Sequence, residues 1–509
     1  MHLANWLNDG DEHCDGTGIL DDVGDVVTTI PAVHLFLHPE EIQRLLWDSI
    51  NYKDKKFDYE PYDFFIEMAA ASDYKDEPDV DENGIISPRR TTPIHYAVKN
   101  MHKPRDWTQL ISDLFKIWGR LDVNYTDESG YTHFHAACEF NCPEIVRGFL
   151  EHGQDPNCVW PKTGDSALHM ALECSESTTI MEMLLRGGAD PNSANKEGLT
   201  PLHIISEDDY DCEIVELFFQ INDELNQRVQ INVRDKLGNT PIHLALEYSD
   251  QKKMMEVLLR RGASPNLANN EGSTPLHIIC KRDIYYRDDF AEYFFKINDE
   301  LNQRVQVDAR DKLNRTPLQY AVVNCLPYAV ESLLNHGANL SSFVFPTFSQ
   351  FDRRFKANKN IQFKLVLACD YLTIIESLEK KGYELDQCDA LIIMKLFDKY
   401  KLFEAMADFD ERWFDNEKVA KKARETMIKP NLSLYDLIHL RPHEVAKRLT
   451  YMDYYELANQ KKLSWIRCPK KCMYYNIQLV TLERLMSRCQ LSDTFQYNGN
   501  IKTANRTNV

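Results

Sequence analysis

The sequence predicts an all-α solenoid of helix–turn–helix pairs with β-turn fingers, followed by a small helical C-terminal region. Three observations carry this. A six-residue phrase of the type Thr-Pro-Leu-His-Ile-Ala opens at Thr92, Thr132, Ser166, Thr200, Thr240, Thr274 and Thr316, at spacings of 40, 34, 34, 40, 34 and 42 residues. Glycine-ended segments such as Leu184-Leu185-Arg186-Gly187-Gly188-Ala189-Asp190-Pro191-Asn192 recur between the phrases. Ile221 to Gln230 also returns letter for letter at Ile297 to Gln306, so a two-repeat cassette of about 75 residues is duplicated.

Each part of the unit has a physical reason. Thr or Ser supplies a helix N-cap oxygen, and proline follows at the first helical position, where its missing N–H costs nothing. Leu, Ile and Ala then bury against the neighbouring repeat. Histidines stand at 95, 135, 169, 203, 243 and 277. One imidazole per repeat at a fixed register points to a structural tie between the turn and the next repeat's backbone, not to six catalytic or metal sites. The closing glycine suits a left-handed C-cap. Fingers follow at Asn195-Lys196-Glu197-Gly198, Asp235-Lys236-Leu237-Gly238, Asn269-Asn270-Glu271-Gly272 and Asp311-Lys312-Leu313-Asn314. In the duplicated segment Ile221, Leu225 and Val229 fall at i, i+4 and i+8, which predicts a longer outer helix with one apolar stripe.

Period and phrase together resemble the ankyrin repeat. The resemblance implies a cupped surface on which fingertips and the exposed side of the inner helices hold a protein partner. Transferred to this chain, that surface comprises Lys196, Lys236, Leu237, Lys312 and Leu313 on fingers, with Glu173, Glu207, Asp208, Glu247, Tyr248, Lys281 and Arg282 after inner helices. Leu237 and Leu313 are singled out because a tip leucine has no packing role.

The flanks read differently. Residues 1–90 are an acidic region with a degenerate capping repeat, whose helical patterns run Pro39 to Ile50 and Tyr62 to Ala71. Residues 91–340 hold the seven repeats, and residues 341–405 read as decayed repeats. Asp408 to Lys429 reads as a charged connecting helix, within a helical region over 406–465. There Ser433 and Asp436 form a capping-box pattern, and Pro442, Glu444, Val445 and Leu449 match the opening of an F-box. The stretch resembles the PRANC region of ankyrin proteins from poxviruses, parasitoid wasps and intracellular bacteria. That resemblance implies docking on the Skp subunit of a cullin ubiquitin ligase. The F-box leucine before the proline is replaced by Arg441, with Leu440 one place earlier, and the region is shortened. A plain capping helix pair is the alternative. Residues 466–509 read as a disordered polar tail.

Composition and motifs exclude other classes. A net charge of −20 argues against a nucleic-acid partner, because phosphate binding needs a basic face. No run of about 18 apolar residues suggests a membrane span. Thirteen scattered cysteines without a secretory leader suit reduced thiols, in the cytoplasm or the nucleus. Asp79 to Gly84 begins like an EF-hand loop, but its last ligand position is Arg90. Cys138 with Cys142, and Cys468 with Cys472, lack a second ligand pair for zinc. Nucleotide-binding and hydrolase motifs are absent, so the expectation is a non-enzymatic binding protein without cofactor or metal. Either it is an adaptor that brings a held substrate to a ubiquitin ligase, or it is a stoichiometric inhibitor that masks its partner.

Overall fold

The computed structural model describes residues 39–51, 64–71, 74–76, 80, 86–100, 108–173, 178–207, 212–248, 252–282, 289–357, 361–400, 417–440 and 448. The chain divides into two compact units, Met1–Ile204 with Leu217–Val229, and Ile205–Glu216 with Gln230–Val509.

In the first unit the described helices are α1 (Pro39–Asn51), α2 (Phe64–Ala71), α3 (Pro93–Asn100), α4 (Thr108–Trp118), α5 (His133–Glu139), α6 (Pro143–Glu151), α7 (Ala167–Leu172) and α8 (Thr178–Arg186). They stack as pairs. The inner helices α1, α3, α5 and α7 touch in series, while α2 packs on α4 and α6 on α8. Phe134 of α5 and Phe149 of α6 meet edge to face at 5.8 Å, both fully buried. The division between the units falls within α9 (Pro201–Glu207) and α10 (Cys212–Glu224).

The second unit continues with α11 (Pro241–Tyr248), α12 (Lys252–Arg260), α13 (Pro275–Lys281), α14 (Phe290–Glu300), α15 (Pro317–Val323) and α16 (Pro327–Asn335). Here α11, α13 and α15 touch in series, as do α12, α14 and α16. Ile242, Leu258, Leu276, Phe294 and Leu333 form the buried seam. Beyond it lie α17 (Phe348–Ala357), α18 (Ile361–Lys380) and α19 (Gln387–Lys399), with α18 against α16 and α19 against α17. The connecting helix expected over Asp408 to Lys429 falls partly, at 408–416, outside the described residues, and its C-terminal end comes earlier than expected. It runs as α20 (Glu417–Glu425), and Met427–Lys429 (β1) then pairs antiparallel with Leu432–Ser433 (β2) before α21 (Leu434–His439). Ser433 and Asp436 do form the reciprocal capping box, with Ser433 Oγ accepting from Asp436 N–H at 3.1 Å.

The phrase works as a capping box in which histidine replaces the usual Glu or Gln. His Nδ1 accepts the N-cap amide at 3.1 Å for Thr92–His95 and Thr200–His203, and at 3.2 Å for Thr132–His135, Ser166–His169, Thr240–His243 and Thr274–His277. That leaves Nε2–H to donate. It reaches a carbonyl 23 to 38 residues on: His135 to Cys158 O at 3.3 Å, His169 to Leu199 O at 2.9 Å, His243 to Ser273 O and His277 to Arg315 O at 3.0 Å. The expected tie is thus present at four levels. His95 differs. Its Nε2 finds no acceptor among the described residues, and its ring lies 4.8 Å from His133, which stands where five of the seven copies have proline. In the seventh copy Gln319 Oε1 takes the Thr316 amide at 2.9 Å.

Outer helices end in a common turn. In α12 the left-handed residue is Gly262 (φ 100°), and Ala263 N–H bonds Leu258 O at 2.9 Å. In the duplicated segments Asn226 and Asn302 (both φ 54°) take that place, and Gln227 and Gln303 bond Asn222 O and Asn298 O at 2.8 Å. The outer helix is longer there, 13 residues in α10 and 11 in α14 against 9 in α12. The expected apolar stripe is corrected, however. The helices stop at Glu224 and Glu300, so Leu225 and Val229 lie in the following turn and loop, and only Ile221 is buried on the helix.

Candidate partner-binding surface

The fingers are built by Asx turns. Asp235 Oδ1 accepts Asn239 N–H at 2.7 Å, and Asp311 Oδ1 accepts Leu313 and Arg315 N–H at 2.9 Å. Successive fingers are joined by backbone bonds of 2.9 Å, Lys196 N–H to Thr163 O in the first unit, Asn270 N–H to Leu237 O and Lys312 N–H to Glu271 O in the second. This contact explains the finger glycines. At Gly238 (φ 78°) a Cβ would lie 2.7 Å from Asn270 N, so both the backbone angle and the approach of the next finger require glycine.

The turn backbone faces its neighbours, which turns the tip side chains outward. Leu237 is 68% exposed and Leu313 64%, on fingers that flank Asn270-Glu271. Lys236 and Lys312 beside them are exposed. Tyr248, at the end of α11, is 57% exposed next to exposed Glu247. Glu207 closes α9, and its carboxyl is held above the ordinary range by burial first, then by the charges of Asp235 and Glu247. Repulsion from Glu247 likewise raises the Tyr248 phenol. The second unit therefore brings Leu237, Leu313 and Tyr248 to its surface together with a group of crowded carboxylates.

Several expected residues differ. Arg282 is not at the surface. The chain leaves α13 in an extended conformation (φ −55°, ψ 137°), and the guanidinium lies buried over the Phe290 ring at 4.2 Å. Lys281 is half-buried, donating to Ser273 Oγ at 2.6 Å and lying 4.6 Å over the Tyr320 ring, and burial lowers its pKa. In the first unit Glu173 is an exposed C-cap, but Lys196 Nζ is engaged by Pro161 O at 2.6 Å and Lys162 O at 3.2 Å, so it secures the preceding finger. Asp208, Pro442, Glu444, Val445 and Leu449 lie outside the described residues, as do Cys468 and Cys472.

Arg90, at the last position of the calcium-loop pattern, bonds the Asp76 carboxylate with both guanidinium nitrogens. Cys138 and Cys142 are both buried and not disulfide-bonded, and Cys142 Sγ donates to Phe140 O at 3.6 Å. Among the described residues no group of three or more His, Cys, Asp or Glu could hold a metal ion, and no helix is long and apolar enough to cross a membrane.

With the repeat geometry established, similarity to known families decides the class. A family model described as "Ankyrin repeats (3 copies)" matches residues 68–159, 94–194, 168–269 and 249–343, together more than half of the chain. The chain is an ankyrin repeat protein. It is 27% identical over 209 residues to Rabankyrin-5 of Mus musculus, covering 41% of this chain and 16% of that protein. It is 28% identical over 166 residues to the ankyrin repeat protein FPV230 of fowlpox virus, covering 27% of this chain and 86% of the viral one. The human SH3 and multiple ankyrin repeat domains protein 2 is 29% identical over 244 residues, 47% of this chain and 12% of that protein. The chain thus spans a small part of the large animal relatives and most of the length of the viral one. The crystal structure of the Bcl-3 ankyrin repeat domain aligns at 19% identity over 42% of this chain with a TM-score of 0.35, too low to carry weight. Ankyrin repeats are protein-interaction modules, and this chain carries them over residues 68–343.

Proposed function

We propose that this ankyrin repeat protein holds a protein partner on the fingertips and inner-helix ends of its second unit, and that its C-terminal helices recruit the Skp subunit of a cullin ubiquitin ligase to that partner. The partner surface rests on one observation: Leu237 and Leu313 expose most of their side chains at fingertips, where they stabilise nothing in the fold. Glu207, Asp235 and Glu247 beside them favour a partner segment that presents basic and apolar side chains together. The ligase link rests on the F-box-like residues Pro442, Glu444, Val445 and Leu449. Recruitment would use a helix face in a groove, with Val445 and Leu449 as anchors. The setting would be the cytoplasm or the nucleus.

The test compares the intact natural chain with two full-length variants in affinity purification. Leu237→Ser with Leu313→Ser should lose the partner while thermal unfolding stays unchanged. Val445→Asp with Leu449→Asp should keep the partner and lose Skp and cullin. If the natural chain recovers the partner without Skp, the ligase role is wrong and the protein is a masking inhibitor. If the leucine variant unfolds early, the two residues are core, and the partner surface is misplaced.

A further inference from the structure

In the second unit a cavity lies among residues that belong to neither fingers nor inner helices. This open cavity of about 930 Å³ is lined by Phe295 and Asp299 of α14, the loop from Gln303 to Ala309, Asn266 of the preceding repeat, and His336 with Gly337 after α16. Its size falls within the range of small-ligand sites.

The polar groups on its wall are mostly acceptors. Among the lining residues, Gln303 carries an Oε1 without a hydrogen-bond partner among the described residues, as does Gln227 at the same register of the first copy. His336 Nδ1 donates to Ser332 O at 2.8 Å, so in the neutral ring Nε2 presents a lone pair, 3.6 Å from Asp299 Oδ2. That separation is too long for a hydrogen bond between the two. The imidazole stacks flat on Phe295, with centroids 3.8 Å apart and planes within 6°. Two donors on this wall are committed, since Gln306 N–H bonds Asn266 Oδ1 at 2.7 Å and Asn266 Nδ2 bonds Arg304 O at 2.7 Å. The carboxylates of Asp299 and Asp308 outnumber the exposed Arg304 on this wall.

We propose that this cavity receives an arginine side chain presented by a partner protein. A guanidinium carries five donors in a planar fork and no acceptor, which suits a wall of a carboxylate, an amide oxygen and an imidazole nitrogen, with an aromatic stack beside it. The duplicated cassette adds a second indication. The segment that supplies Asp299 and Gln303 occurs twice, and at the register of His336 (Leu333-Leu334-Asn335-His336-Gly337) the first copy has Arg261 (Leu258-Leu259-Arg260-Arg261-Gly262). The first copy supplies an arginine of its own at that register. The second supplies a shorter imidazole there. This site is separate from the fingertip surface, and either can fail without the other.

The probe is Nα-acetyl-argininamide, titrated into the full-length protein by isothermal calorimetry or NMR, with the citrulline and lysine analogues and free L-arginine as comparators. Expected is a dissociation constant of about 1 mM, ordinary for a ligand of that size, with at least about tenfold weaker binding of the uncharged citrulline analogue. His336→Arg should abolish binding without lowering the thermal midpoint, because the first copy already carries arginine at that register. Asp299→Asn should weaken binding about tenfold. Gln303→Met should weaken binding without loss of stability, since it removes a buried acceptor that has no partner. Equal binding of the citrulline analogue, undiminished binding by His336→Arg, or no binding of the arginine probe at 20-fold the expected constant, about 20 mM, would overturn the proposal. Tighter binding of free L-arginine than of the blocked form would overturn the partner-borne source and assign the cavity to a small guanidine.

Discussion

Replacing His243 tests the structural reading of the repeat histidines. The ring is fully buried between two repeats. Its Nδ1 takes the Thr240 amide at 3.2 Å, and its Nε2–H gives a 3.0 Å bond to Ser273 O. His243→Ala strands both backbone groups, at about 1–3 kcal/mol each, and leaves a ring-sized void, for which a large-to-small core change adds a comparable cost. The expected loss is about 4 kcal/mol or more. His243→Gln should cost about half of that, because Gln319 in the seventh copy shows that a glutamine Oε1 can take the capping amide at 2.9 Å, while the inter-repeat bond is still lost. Urea unfolding followed by circular dichroism gives the difference in midpoint. Hydrogen exchange of the amides over 240–246 and 273–279 localises it, since stability in a repeat array is a sum of local and nearest-neighbour contributions. An alanine variant within about 1 kcal/mol of the natural protein, or a glutamine variant no better than alanine, would refute the role assigned to the ring.

The same histidines make the fold acid-sensitive. Burial holds His135 and His243 down to about 4, against about 6.5 in an unfolded chain. Between those values the unfolded state binds more protons, so stability should fall as pH falls from about 6.5 to 4, by up to about 1.4 kcal/mol per pH unit for each imidazole. The contribution of these two should level off below about pH 4, and a urea midpoint unchanged between pH 7 and pH 5 would contradict it. At the left-handed turn after α14, Asn302→Ala should destabilise by about 1 kcal/mol and Asn302→Gly should not; a harmless alanine would show that the turn relaxes. Arg282→Ala should lower the thermal midpoint through lost packing on Phe290, whereas a purely surface arginine would leave it unchanged.

The repeat architecture was legible in the linear chain because each part of it depends on near neighbours. An N-cap, a proline and a histidine three residues later decide one capping box. A glycine or asparagine at a left-handed position decides one turn, and an aspartate two to four residues before the amides it binds decides one finger. Fingertip exposure at Leu237 and Leu313 followed as well, because an Asx turn aims its tip residue away from the chain. Local rules fail where a residue's fate is decided by a neighbour far along the sequence. Arg282 reads as a surface cation after a helix, and only the placement of Phe290 makes it a buried stacking group. Lys196 reads as a fingertip charge, yet the carbonyls of Pro161 and Lys162 capture it. The stripe of Ile221, Leu225 and Val229 has helical spacing, but Asn226 in the left-handed region ends the helix before it is complete. The cavity beside Phe295 was not visible at all in the letters. It arises from three segments about 40 residues apart, whose acceptor groups meet only because the repeats stack.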